Sequence, residues 1–216
     1  MHLVMFDIDG TLVDSRGFDE DLFARAITSE LGVHVDETWQ SYQQCTDSGV
    51  LEEVLTQNDV PISERPRACE RVKRCFIGLV QEHIAMQPEG LAPIPGAPAL
   101  IRKLRSSSEV VIAFATGGWR ETAEMKLRSA GIEFEGLPFA TSSEAAARTE
   151  IMRLAERRAG AYGHFSRRTY FGDAPWDRKA SAELGYDFLA VGGRVDHPGG
   201  FKDLSDQEAI FRVLGV

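Results

Sequence analysis

The chain has 216 residues, of which 43% are hydrophobic and 26% charged, and these proportions are ordinary for a globular protein with a sizeable core. Its formal net charge of −9 argues against a general nucleic-acid binder, because phosphate backbones require a basic protein face. No apolar run approaches the roughly 20 residues of a membrane span, and we expect no leader peptide. Three cysteines lack zinc-like spacing. These features favour a cytoplasmic protein, monomeric or homodimeric, with neither nucleic-acid nor membrane partners.

The first predicted element is a buried strand over residues 3–6, and two acids follow it directly. Ile8 separates Asp7 from Asp9, and Gly10 then lets the backbone turn sharply. If Asp7 ends the strand, both carboxylates stand at its carboxyl end, where one acid could attack or bind a metal while the other moves a proton. The alternative is a structural loop, in which an aspartate caps the next helix or makes an Asx turn.

Apolar residues continue at helical spacing from about residue 17 to residue 86, without a convincing strand. The highest proline density of the chain follows, over residues 88–98, and such a composition suits a hinge or linker. We therefore expect an all-helical domain over residues 16–89, inserted into a core domain made of residues 1–15 and 90–216.

Beyond residue 97, helices and strands alternate regularly. Helices are predicted at 97–107, 119–130, 148–160, 177–185 and 206–214, and strands at 110–115, 137–141, 169–171 and 188–191. The continuous apolar run at 110–115 is typical of a strand covered on both faces. This alternation predicts an α/β fold with a doubly wound, Rossmann-like parallel sheet.

Polar groups follow three of the predicted strands: Asp7 and Asp9, then Thr116 and Gly117, then Asp173 and Asp177. Because the carboxyl ends of parallel strands share one edge, where open α/β proteins bind ligands, we expect the three groups to converge. Two acid pairs at one edge repel each other unless a cation lies between them, and Mg²⁺ takes oxygen ligands. Taken alone, the third group has an alternative interpretation as the capped start of a helix.

Residues 116–118 predict an anion site, because Thr116 offers a hydroxyl and the two glycines offer unencumbered backbone amides at a helix start. A helix cap with a glycine turn is a compatible structural interpretation. A basic side chain should complete the site by neutralising phosphate charge. We choose Arg148, which opens the helix after the third strand, over Lys179 as the second candidate. The alternative for Arg148 is a solvated helix arginine.

The stretch over residues 7–15, DIDGTLVDS, resembles the first signature of the haloacid dehalogenase superfamily in its phosphatase form. Thr116 resembles the second signature, and residues 172–177 resemble the fourth, in the expected order. The helical insertion is similar to the family's helical cap domain, so the resemblance covers the whole chain. Within the family, the chain looks like the phosphoglycolate phosphatases and β-phosphoglucomutases.

The resemblance implies that Asp7 is the nucleophile, which forms an aspartyl-phosphate, and that Asp9 protonates the leaving oxygen and later activates water. Mg²⁺ would be held by the carboxylates of Asp7 and Asp173 and by the backbone carbonyl of Asp9, with Asp177 supporting the site directly or through water. Thr116 would bind phosphoryl oxygens. The third signature is usually a lysine, and the residue at the matching place here is Arg148.

These features predict a Mg²⁺-dependent phosphatase that acts on a small phosphorylated metabolite. The alternatives are a phosphomutase of the same family, a dehalogenase, and a non-catalytic binding module that keeps the fold. Substrate choice should lie in the cap, where residues 47–49 are a candidate substrate-facing loop or an ordinary helix cap. Trp119 and Arg120 are candidates for the border of the pocket.

Overall fold

A computed structural model of the protein describes residues 1–36 and 38–216. The strands are β1 (His2–Phe6), β2 (Val110–Thr116), β3 (Phe139–Thr141), β4 (Arg167–Gly172) and β5 (Asp187–Ala190). The helices are α1 (Asp19–Leu31), α2 (Asp47–Gln57), α3 (Arg65–Ala85), α4 (Ala97–Arg105), α5 (Arg120–Ser129), α6 (Arg148–Ala159), α7 (Pro175–Leu184) and α8 (Gln207–Leu214). No helix in this described part of the chain is long and apolar enough to cross a membrane.

The five strands form one parallel sheet in the order β3-β2-β1-β4-β5, which confirms the predicted α/β fold. The chain adds strands on one side of β1 and then on the other, so the strand order reverses at β1. Phe6 pairs with both Phe114 and Phe171, and the three central strands therefore end nearly level. In open α/β sheets, this reversal creates the crevice in which ligands bind.

Side chains of β1 alternate between two buried clusters because successive residues of a strand point to opposite faces. Val4 and Phe6 belong to the cluster that also contains apolar residues of α4, α5 and α8. Leu3 and Met5 belong to the second cluster, with apolar residues of α6 and α7. All four are fully buried. The continuous apolar character of the central strands thus follows from helices on both faces.

The described residues between α1 and α3 form helices and turns without a strand, and they have an apolar cluster of their own. Gly32 ends α1 in a left-handed conformation, as its position after the apolar stripe predicts. Residues 39–44 lie within the stretch of predicted helical spacing over residues 17–86, but they form only a 3₁₀ turn, Trp39–Ser41. We call residues 16–89 the inserted helices; their division from the core as a separate domain stays a prediction.

Hydrogen bonds join the start of α2 to the carboxyl edge of the sheet. Thr46 Oγ1 donates to the carbonyl of Ala146 at 2.7 Å, and Ser48 Oγ donates to the carbonyl of Ser142 at 2.7 Å. The amide of Asp47 donates to the carbonyl of Gly117 at 2.8 Å. These contacts hold the inserted helices over the edge where the predicted site residues meet.

Proline explains two differences from the predicted boundaries. Strand β3 begins at Phe139 rather than at residue 137, because Pro138 has no N–H for the ladder, although its carbonyl accepts from Phe114 N at 2.8 Å. Helix α7 begins at Pro175, two residues before the predicted start, because the fixed φ of proline suits the first turn of a helix.

Candidate active site

The turn after β1 brings the first acid pair against the second. The Asp7 amide donates to the carbonyl of Phe171 at 2.9 Å, which keeps Asp7 level with the end of β4. Gly10 has φ +75°, and a Cβ at this position would lie 2.4 Å from Asp173 Oδ2. Glycine therefore serves both the left-handed turn and the close approach of the Asp173 carboxylate.

Asp7, Asp173 and Asp177 form a group in which one carboxylate oxygen from each lies within 4.8 Å of the others. All three residues are buried. Within the described residues, Asp173 Oδ2 and Asp177 Oδ1 have no hydrogen-bond partner. Each of these oxygens has a guanidinium nearby, Arg148 Nη1 at 3.1 Å from Asp177 Oδ1 and Arg194 Nη1 at 3.6 Å from Asp173 Oδ2. Buried carboxylate oxygens without a hydrogen bond are costly, and a hard divalent cation that takes oxygen ligands fits such a group.

Burial and mutual repulsion make these acids hard to ionise without a cation. Burial, followed by the charge of Asp177, raises the pKa of Asp7 to about 7. Burial and the charge of Asp7 raise the pKa of Asp173 to about 7. Burial raises the pKa of Asp177 to about 6 against the opposing charge of Arg148. A cation between these groups would favour their charged forms.

Arg148, the first residue of α6, lies buried beside the nucleophile candidate. Its Nη1 donates to Asp7 Oδ1 at 3.3 Å and lies 3.1 Å from Asp177 Oδ1, a close ion pair without hydrogen-bond geometry. Burial opposes the charge of Arg148, but the carboxylates of Asp177 and Asp7 outweigh it and raise the pKa of the guanidinium. Lys179 instead lines a neighbouring groove with Gln43 and Glu183. Of the two basic candidates, only Arg148 contacts Asp7.

Tyr170 contacts the Arg148 side chain, and Gly117 leaves room for it. Arg148 Nη1 donates to the Tyr170 hydroxyl at 3.3 Å, and that hydroxyl donates to the carbonyl of Ala115 at 2.8 Å. Gly117 leaves the space for the guanidinium, since a Cβ there would lie 2.5 Å from Arg148 Nη2. Sequence reasoning missed Tyr170, whose signal is a phenol hydroxyl in the buried second half of β4.

In the loop after β2, one of the two predicted glycine amides has a partner within the protein. The Gly118 amide donates to Thr116 Oγ1 at 3.2 Å, and the Trp119 amide donates to Asp47 Oδ2 at 2.8 Å. At this helix start the amides of Gly118 and Trp119 are therefore engaged within the protein, and the anion site at Thr116 and Gly117 stays a prediction. Asp47 reaches this helix start because α2 begins directly above the loop.

The Asp9 carboxylate is not part of the three-carboxylate group. Asp9 Oδ1 accepts from Ser15 Oγ at 2.6 Å and from Lys126 Nζ at 2.5 Å, and Lys126 Nζ also lies 2.8 Å from Asp19 Oδ1. Sequence reasoning missed Lys126. A signal was present, because this lysine interrupts the apolar face of α5 between Ala123 and Leu127, both fully buried.

A cavity of about 90 Å³ gathers most of the predicted residues: Asp7, Asp9, Thr116, Gly117, Arg148 and Asp173. Asp47 joins its wall from the inserted helices, and Trp39 and Trp176 add aromatic surface. Trp119 does not border the cavity but packs with Phe23 and Phe76 among the inserted helices. Arg120 points away and pairs with Glu144 at 3.0 Å.

Comparisons with known proteins identify the family and the fold. Residues 1–185 match the model of the haloacid dehalogenase-like hydrolases. No curated protein sequence matches the chain. The fold is similar to a hydrolase from Pseudomonas syringae, with 17% identity, 99% of each chain covered and a TM-score of 0.73. It is also similar to a β-phosphoglucomutase from Clostridium difficile, with 16% identity, 99% of each chain covered and a TM-score of 0.71.

A third similar structure is CbbY from Rhodobacter sphaeroides in complex with phosphate, with 19% identity, 94% of this chain and 95% of that chain covered and a TM-score of 0.69. At such identities the three structures establish the likeness of fold alone. The family model, in contrast, covers the chain from β1 to the end of α7 and therefore every acid of the candidate site. The chain belongs to the haloacid dehalogenase-like hydrolase family.

Proposed function

We propose that this protein is a Mg²⁺-dependent phosphatase, a phosphoric monoester hydrolase that acts on a small phosphorylated metabolite through an aspartyl-phosphate on Asp7. The observation that carries the proposal is the pairing of buried Asp7 with Arg148 at 3.3 Å beside two further carboxylates. A carboxylate repels an anionic ester until positive groups screen its charge, and this site combines a fixed guanidinium with a set of oxygens suited to a cation. Family membership supports the same reaction class.

The carboxylates of Asp7 and Asp173 and the backbone carbonyl of Asp9 would hold Mg²⁺, with Asp177 in support. When bound, the ion supplies positive charge that lets the phosphoryl group approach the nucleophile. Asp177 also has a structural role, since its Oδ2 accepts from the Ala174 amide at 3.1 Å and thereby caps α7.

Asp7 would attack phosphorus while the bond to the leaving oxygen breaks, and Asp9 would give that oxygen a proton. Asp9 would then take a proton from the water that attacks the aspartyl-phosphate, which releases inorganic phosphate and restores Asp7. Thr116 and Arg148 would bind the phosphoryl oxygens, because a hydroxyl and a fixed guanidinium are suitable donors to phosphate. Positioning and charge stabilisation carry most of the catalysis in such a transfer.

The inserted helices would act as a cap that excludes water and selects the substrate. Support comes from the contribution of Asp47, Trp39 and Phe23 to the cavity around Asp7. Asp47 is half-buried, and desolvation together with the charge of Asp19 raises its pKa to about 8. A cap carboxyl at this place favours substrates that carry hydroxyl groups beside the phosphate.

The first experiment is phosphate release from a panel of phosphate esters with Mg²⁺. Asp7→Asn should abolish release because the amide is not a nucleophile, whereas the control Asp187→Asn, at an exposed ion pair with Arg167, should retain it. Wild-type protein that is inert across the panel would overturn the proposal in favour of a binding module.

A phosphomutase would share the attack by Asp7 but would return the phosphoryl group to the substrate. The similarity to a β-phosphoglucomutase concerns the fold and leaves this alternative open to direct measurement. An isomeric sugar phosphate formed without free phosphate would identify a mutase, and stoichiometric free phosphate would identify a hydrolase.

A further inference from the structure

Lys126 is a buried cation to which the proposed reaction gives no role. Its side chain is about 1% exposed, although lysine is almost never fully buried unless it is paired. Its Nζ lies 2.5 Å from Asp9 Oδ1 and 2.8 Å from Asp19 Oδ1. Burial opposes the charge of Lys126, but the carboxylates of Asp19 and Asp9 outweigh it and raise its pKa above the usual range. The ammonium group is therefore a permanent charge between two acids.

The two carboxylate oxygens of Asp9 have different neighbours. Oδ1 accepts from Lys126 Nζ and from Ser15 Oγ at 2.6 Å. Oδ2 faces the loop after β2, because a Cβ built on Gly118 would lie 3.4 Å from Asp9 Oδ2 and 3.7 Å from Thr116 Oγ1. One oxygen is thus held by two donors, and the other stands beside the proposed phosphoryl site.

Lys126 also joins two parts of the molecule. It lies on α5 beside the sheet, whereas Asp19 is the first residue of α1 in the inserted helices. The Asp9–Lys126–Asp19 contact therefore connects the proton-transfer candidate to the proposed cap. Displacement of α1 would remove one of the two carboxylates that hold the ammonium group.

We propose that Lys126 is a positioning residue, which holds Asp9 Oδ1 so that Oδ2 exchanges protons with the leaving oxygen, and that Asp19 holds Lys126 in turn. This inference rests on the proposed function. The competing explanation is that Lys126 forms a purely structural ion pair. In that case its loss would reduce kcat/KM by the same factor for every substrate. Correct orientation of Asp9, in contrast, matters most for substrates whose leaving group needs a proton.

The test compares kcat/KM for an alkyl phosphate and for p-nitrophenyl phosphate, whose leaving group departs without a proton. General acid catalysis contributes typically about 10²–10⁴-fold, so loss of orientation should reduce the alkyl-to-aryl ratio of kcat/KM by at least about tenfold. Lys126→Met should show this reduction, and Asp9→Asn should show it more strongly. Because Lys126 acts through Asp9, Lys126→Met should change the ratio less than about twofold when Asp9→Asn is already present.

Lys73→Met is a matched control. Lys73 also joins the inserted helices to α5, through an ion pair with Glu121 at 2.9 Å, but it does not contact Asp9. This variant should leave the ratio unchanged. Asp19→Asn is the second test variant, since it keeps the size of the side chain and the Lys126–Asp9 contact, and it should reduce the ratio in the same direction by a smaller factor.

The inference would be overturned if Lys126→Met reduced kcat/KM equally for both esters. It would also be overturned if Lys126→Met changed the alkyl-to-aryl ratio as much in the Asp9→Asn background as in the wild-type protein. If Lys126→Met fails to fold, an unchanged ratio in Asp19→Asn overturns it. Failure of the proposed function is distinguishable, because wild-type protein would then release no phosphate from either ester.

Discussion

Gly10→Ala should show how the close approach of Asp173 to Gly10 affects activity, separately from its effect on the stability of the fold. The alanine must adopt a φ of +75°, and its Cβ would lie 2.4 Å from Asp173 Oδ2 and 2.7 Å from Asp173 Cγ. The left-handed conformation costs an alanine roughly 1–2 kcal/mol. The contact is also about 1 Å too short, so the carboxylate of Asp173 must move away from residue 10.

Gly131→Ala provides the same backbone strain without the contact. Gly131 has φ +68°, and no atom lies within 4 Å of a Cβ built there. Each kcal/mol shifts the Tm of a domain of this size by roughly 2–4 °C, so Gly131→Ala should lower it by about 2–8 °C and leave activity intact. Gly10→Ala should show a similar or larger shift in Tm.

Activity distinguishes the two variants. Displacement of a catalytic group by about 1 Å can reduce the rate roughly 10²-fold, and we expect a loss of that order in kcat/KM for Gly10→Ala with Mg²⁺. The apparent Mg²⁺ affinity, taken from the dependence of the rate on the ion concentration, should fall as well. If Gly10→Ala matched Gly131→Ala in both rate and Mg²⁺ dependence, the argument that Asp173 approaches Gly10 for a functional reason would be refuted.

Three further predictions concern the groups around Asp7. Arg148→Met should reduce phosphate release by at least about 10²-fold and lower Tm, because it leaves buried carboxylates without their partner. The control Arg153→Met, at an exposed ion pair on the same helix, should be neutral. Equal activity of the two variants would contradict this role of Arg148. With a chelator present to remove divalent cations, the free energy of unfolding should fall as pH rises from about 4 to 7. The reason is that burial raises the pKa of Asp7 and Asp173 from 3.8 to about 7 in the folded state. A Tm that rises over this pH range would contradict the argument. Tyr170→Phe should raise KM for a phosphate ester several-fold and lower the free energy of unfolding, measured in urea, by about 1–2 kcal/mol, because Arg148 and the carbonyl of Ala115 each lose a hydrogen-bond partner. Unchanged values would show that Tyr170 does not hold Arg148.

Local patterns in the sequence were sufficient for most of the fold. The apolar runs predicted all five strands within a few residues, because strands covered on both faces need continuous apolar sequence. The helical spacing of residues 17–86 predicted helices throughout, and Gly32 marked the end of α1. The errors lie at element boundaries, such as β3, where Pro138 cannot join the ladder, and in the segment at residues 39–44, which forms only a short 3₁₀ turn.

The sequence by itself determined which acids follow the strands, because the turn after each strand is a local feature with its own residue signature. Only the tertiary structure decided which basic group meets them, since Arg148 opens α6, Lys179 lies in the second turn of α7, and the packing of the two helices brings only Arg148 against Asp7. It also decided the surroundings of Asp9. Ser15 is near in sequence, but Lys126 is 117 residues away and Asp19 belongs to the inserted helices. A buried lysine must be paired with opposite charge, and only the folded chain brings Asp19 of α1 and Asp9 of the turn after β1 to Lys126.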